Sequence, residues 1–125
     1  MKYRPASFTA EAFDEHLIGS WILEFDGGTT EVRTFHRDGA YSYEIRDGNE
    51  IVAKGSGSFS VGDVKNWGDE ENRGSRATVK INLMELHVRP DILGNWGPVE
   101  QWGFREGDND TICHLGEKTL AFKRR

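Results

Sequence analysis

A chain of 125 residues, 36% apolar and 30% charged, is sized for one globular domain spanning 1–125 and is too short for two cores. A net charge of −5 lacks the basic footprint of a general nucleic-acid binder. Mean hydropathy is −0.66, and no apolar run nears the roughly 20 residues of a membrane-spanning helix, so no membrane partner is expected.

Residues 9–18 read as a short helix. Thr9 is its N-cap, Phe8 and Phe13 stand at the two positions of a hydrophobic staple, and Phe13, Leu17 and Ile18 form the apolar stripe. Gly19 ends it. The period then switches to two. Trp21, Leu23 and Phe25 alternate along "GSWILEFD" (19–26). Strands follow at 29–37 and 40–47, joined through Arg37-Asp38-Gly39, a strong hairpin signal because glycine accepts a positive φ. Asp47-Gly48-Asn49 is the next turn. The strand at 50–61 carries Gly55-Ser-Gly57, a mark of a bend or bulge midway.

Residues 62–76 are charged and aperiodic and read as a long loop containing Trp67. Alternation resumes at 77–88, and 89–98 is a second long connection with Trp96 in it. Strands at 99–106, 110–115 and 118–124 complete the chain. The expectation is an all-β fold: roughly eight antiparallel strands in an up-and-down barrel behind one N-terminal helix. Closure removes the exposed edges of so long a meander.

A helical lead-in, Gly19-x-Trp21 on the first strand and an antiparallel meander over 19–124 resemble the lipocalin-like (calycin) group. The resemblance implies that Trp21 packs at the closed end of the barrel beside a basic residue of the last strand. "TLAFKRR" (119–125) resembles that strand, with Lys123 or Arg124 as the partner. Fatty-acid-binding proteins and small bacterial barrel cyclases share the outline. The chain departs from secreted lipocalins in two respects. Met1–Ala10 carries no apolar secretory core, and the single cysteine, Cys113, allows no intrachain disulfide. Both features point to the cytoplasm.

Strand 29–37 is ambiguous, since one face carries Thr30, Val32, Thr34 and His36 and the other Glu31, Arg33, Phe35 and Arg37. The plainer reading turns Val32 inward and leaves the charges in water. The other turns Phe35 inward with Glu31 and Arg33, which requires partners, water or a ligand. Tyr41 and Tyr43 share a face and serve either as core or as an apolar wall with hydroxyls. Trp102 and Phe104 share a face with Glu100. Glu100 is either the exposed end of an ordinary strand or a carboxyl tuned for proton transfer by an apolar wall. Glu85-x-His87 offers only two donors, so neither a metal site nor a cofactor is expected. Cys113 and His114 are adjacent on one strand and face opposite ways, which excludes a dyad between them. Cys113 reads as a buried structural residue.

Three functions remain. The first is binding of a small apolar or amphipathic molecule inside the barrel. Trp21, Phe35, Tyr41, Tyr43, Trp102 and Phe104 would form the wall, Arg33 or Glu31 the polar anchor, and Trp96 a lid. The second is a cofactor-free cyclase or isomerase on the same scaffold, with Glu31, Tyr43 or Glu100 steering protons. The third is an interaction module that uses the Trp67 and Trp96 loops, with a homodimer as one outcome.

Overall fold

The computed structural model describes residues 10–25, 27–68, 73–88, 99–105, 110–115 and 120–125. One helix, α1 (Ala10–Leu17), precedes eight strands. These are β1 (Gly19–Glu24), β2 (Thr29–Phe35), β3 (Ala40–Asp47), β4 (Glu50–Gly68), β5 (Arg73–Val88), β6 (Val99–Arg105), β7 (Thr111–Leu115) and β8 (Leu120–Arg124). Each strand pairs antiparallel with the next, and β8 returns to β1, so the sheet is a closed barrel in chain order. Closure runs through Trp21 opposite Arg124 and Ile22 opposite Lys123, with the Arg125 N–H donating to the Ser20 carbonyl at 2.9 Å.

The chain enters β1 from the helix, so β1, β3, β5 and β7 run from the helix end to the far end and β2, β4, β6 and β8 run back. Turn chemistry follows the sequence at 36–40: Gly39 has φ 90°, and the Asp38 carboxylate accepts the Ala40 N–H at 3.0 Å.

α1 seals its end because Phe13 and Leu17, one turn apart, both reach zero exposure against the core. The Phe13 ring lies 5.2 Å from that of Phe104, and His16 stacks on Phe104 at 3.9 Å. The Trp21 indole N–H donates to the Leu17 carbonyl at 2.8 Å, tying β1 to the last turn of the helix. The Arg124 guanidinium lies 4.2 Å from the centre of the Trp21 ring and donates to the carbonyls of Ile18 (3.1 Å) and His16 (3.2 Å). Arg124 thus caps the orphan carbonyls at the end of the helix while covering the tryptophan. Of the two basic candidates on the last strand, it is the one that meets Trp21. Gly19, at φ 132°, leaves room for this contact, since a Cβ there would stand 2.9 Å from Arg124 Nη1. Thr9 and Phe8, the expected cap and staple, lie outside the described residues.

Two expectations from the sequence are corrected. Residues 62–76 are not a long loop: β4 runs on to Gly68 and β5 begins at Arg73. Trp67, expected on a loop, stands in β4 opposite Gly74. The pairing slips between Gly62 and Lys65, where Asp63 takes φ 50°, and that irregularity erases the alternation a strand reading needs. A second slip at Ser56/Gly57 is the bend expected from the glycines there. The other correction concerns Cys113, which is half-buried rather than buried.

Candidate functional site

Inward positions at the helix end are apolar: Trp21, Phe35, Phe104, Ile112 and Phe122 are all buried. One step further along the same strands the residue types change. β2 turns Glu31, Arg33 and Phe35 into the barrel, with exposures of 8%, 4% and 0%, while Val32 is only half-buried. The reading that put Val32 inside and the charges in water is therefore overturned. Glu100 is likewise no exposed strand end, because only 6% of it is accessible. In both cases burial is sustained by mutual pairing, the condition under which charges leave water.

Arg33 is the hub. Its Nε donates to Glu31 Oε2 at 2.9 Å. Its Nη1 donates to both Glu100 oxygens at 2.9 Å and to the Tyr41 hydroxyl at 3.1 Å. The guanidinium also lies 5.5 Å from the Trp102 ring centre and 5.7 Å from that of Phe122. Burial alone would disfavour its charge, but Tyr41, Glu100 and Glu31 outweigh that, and its pKa is raised. Arg33 is a fixed cation.

Glu100 is shared three ways. Besides Arg33, it meets His114 Nε2 at 3.0 Å, and the Trp102 indole N–H points to Oε1 at 3.4 Å. Desolvation pushes its pKa up, yet the His114 hydrogen bond and Arg33 push harder the other way, and the net shift is downward. Glu100 is therefore ionised, and His114 Nε2 must be the donor to it. Burial raises the Tyr41 hydroxyl pKa against the opposing pull of Arg33, and it raises that of Tyr43 to about 12. Both tyrosines are neutral donors at physiological pH.

The structure thus brings together Glu31, Arg33, Tyr41, Glu100 and Trp102, with Tyr43 buried beside Tyr41 at a ring distance of 6.4 Å. It places Trp21 and Phe104 under the helix instead. Trp96 lies outside the described residues. His114 belongs to the cluster, and reasoning from sequence missed it. The available signal was alternation with Ile112 on a strand whose other face carries Cys113. Leu23, Ile45, Leu83, Val88 and Leu120 are partly buried apolar neighbours of the core. Glu85 and His87 are both exposed.

The interior so defined has an aromatic floor at the helix end and a compact ionic layer nearer the far end. That arrangement can hold a polar group by hydrogen bonds, and through Glu100 and His114 it can relay a proton. Among the described residues no helix is long and apolar enough to cross a membrane. Comparison with family models, with characterised proteins and with solved structures finds no match to this chain.

Proposed function

We propose that this protein is a lipocalin-like, cytoplasmic binder of a small amphipathic molecule, held in the barrel between the ionic layer and the far end. One observation carries the reading: a charged network stands inside a barrel that apolar side chains alone would fill. Replacing such a network by well-packed apolar residues is often neutral or stabilising, so stability gives little reason to keep it. Ionisable groups with strongly perturbed pKa values cluster at functional sites. Tyr43 and the aliphatic residues Leu23, Ile45 and Leu120 supply the apolar contacts that such a ligand needs.

The test is native mass spectrometry of the purified protein against its denatured mass. A releasable excess of a few hundred daltons supports the binder. A dimer without any excess supports the interaction reading instead, in which Trp67 and Trp96 contribute contacts.

A second reading is favoured by the Glu100–His114 hydrogen bond. In it the barrel is a cofactor-free cyclase or isomerase, and the pair moves a proton on a bound apolar intermediate. Turnover of a candidate substrate that disappears in Glu100→Gln, with ligand binding retained, separates this enzyme from the pure binder.

A further inference from the structure

A groove of about 580 Å³ crosses the outer face of the sheet. Asp63 and Lys65 of β4, Arg76 and Thr78 of β5, Gln101 of β6 and Leu115 of β7 line it. Arg76 and Thr78 alternate with the buried Ala77 and Val79, so they face away from the barrel interior. The slip in the β4–β5 pairing lies beside them. Gly62 stands opposite Thr78 and Lys65 opposite Arg76, so β4 places two residues, Asp63 and Val64, against one of β5. That is the count of a β-bulge, and bulges re-aim side chains and gather next to sites. On the other side, Arg76 stands opposite Gly103, where a Cβ would meet Leu115 Cδ1 at 3.3 Å and Arg76 Cβ at 3.5 Å. The absent side chain lets Arg76 and Leu115 approach each other across β6.

Lys65 and Arg76 are a directly opposed pair of like charges, an arrangement that costs stability when nothing lies between them. Both are exposed, and neither makes a hydrogen bond or an ion pair among the described residues. Lys80 and Arg105 extend the same outer face, opposite Val99 and Gly74. Against these four cations Asp63 is the one carboxylate lining the groove among the described residues, and it pairs with neither Lys65 nor Arg76. A chain with a net charge of −5 thus gathers positive charge on one patch. Beside the pair, Gln101 Nε2 donates to Thr78 Oγ1 at 2.7 Å. Thr78 accepts that bond, so its own O–H remains a donor. A carboxylate would bring one charge and two oxygens to this setting. A phosphate monoester brings a charge of about −1.5 to −2 at neutral pH and three terminal oxygens, enough for an ammonium, a guanidinium and a hydroxyl at once.

We propose that this groove is a second binding site, outside the barrel and independent of the ligand proposed above, for the phosphate group of a small phosphate monoester. Lys65 and Arg76 hold the phosphate between them, Thr78 donates to it, and Leu115 packs against the organic part.

The test titrates phenyl phosphate and benzoate into the full chain at neutral pH and about 0.15 M salt, followed by amide NMR shifts, which also locate the bound probe. Phenyl phosphate is expected to shift the amides of Arg76, Gln101 and Gly103 and to bind at least about fivefold more tightly than benzoate. Lys65→Gln and Arg76→Gln should each weaken it about tenfold, the worth of one charge-assisted hydrogen bond. Both side chains are exposed, so neither variant loses core packing. Lys80→Gln, on the same face but outside the groove, should change the affinity by less than about twofold, because exposed charges more than a Debye length apart are screened. Benzoate binding as tightly as phenyl phosphate would overturn the proposal. So would shifts confined to amides lining the barrel interior, an affinity unchanged in either groove variant, an equal loss in Lys80→Gln, or no binding of phenyl phosphate at all.

Discussion

Replacing Arg33 by methionine removes one cation and leaves two carboxylates in the barrel. The structure sets the size of the effect. Glu31 and Glu100 each sit 2.9 Å from the guanidinium, and Glu100 is only 6% exposed, so water cannot take over the lost bonds. Breaking a buried ion pair from one side costs about 3–5 kcal/mol. For a chain of 125 residues the unfolding entropy is roughly 0.26 kcal/mol/K, so Tm should fall by roughly 11–19 °C. Two controls separate charge from packing. Acidification toward about pH 5 should narrow the gap, because orphaned carboxylates take up protons more readily than paired ones. The triple variant Arg33→Met/Glu31→Gln/Glu100→Gln should regain most of the loss. Thermal and urea unfolding followed by tryptophan fluorescence reads all three. A loss below about 1 kcal/mol in Arg33→Met would refute the account of a desolvated network, since that is the range of exposed pairs.

Arg124→Ala should cost about 1–2 kcal/mol, since it frees the His16 and Ile18 carbonyls and uncovers Trp21; a red shift in tryptophan emission should accompany the lower urea midpoint. Gly55→Ala should destabilise by about 1–3 kcal/mol, because its Cβ would stand 2.4 Å from Cε1 of Tyr43; pairing it with Tyr43→Leu should recover part of the loss, and strict additivity would count against the clash. Stability should fall as pH rises from about 10 toward 12, because folding raises the Tyr43 pKa to about 12 and the unfolded chain releases its proton first. At the acid end the sign reverses. Glu100 has a lowered pKa when folded, so its contribution is complete above the ordinary carboxyl range and is lost as pH falls through the folded value; Glu100→Gln should flatten that limb of the urea midpoint against pH.

The barrel was legible in the sequence because its signals are local. Asp-Gly and Gly-Asn at the turns, alternation within each strand and the apolar spacing of Phe13 and Leu17 each act over a few residues. The site was less legible because its partnerships are remote. Glu31 and Arg33 sit two positions apart, but the carboxylate that completes the network lies 67 residues from Arg33. No local rule connects the two, so alternation on β2 could name two possible faces without choosing between them. His114 enters only through its register opposite Trp102, which depends on how β6 and β7 pair. The stretch of the β4–β5 hairpin beyond Gly62 escaped notice for the opposite reason: its irregular pairing around Asp63 breaks the pattern by which strands are recognised.

The seam between β1 and β8 carries a kinetic consequence. Trp21 cannot meet Arg124 until the residues between them, about a hundred, have been synthesised. Until then β1 presents an unpaired edge, and the tryptophan beneath it lacks its cover. The step that closes the cylinder is therefore the one with the longest sequence separation. A ring sealed last is also the natural place for it to part first when the molecule unfolds.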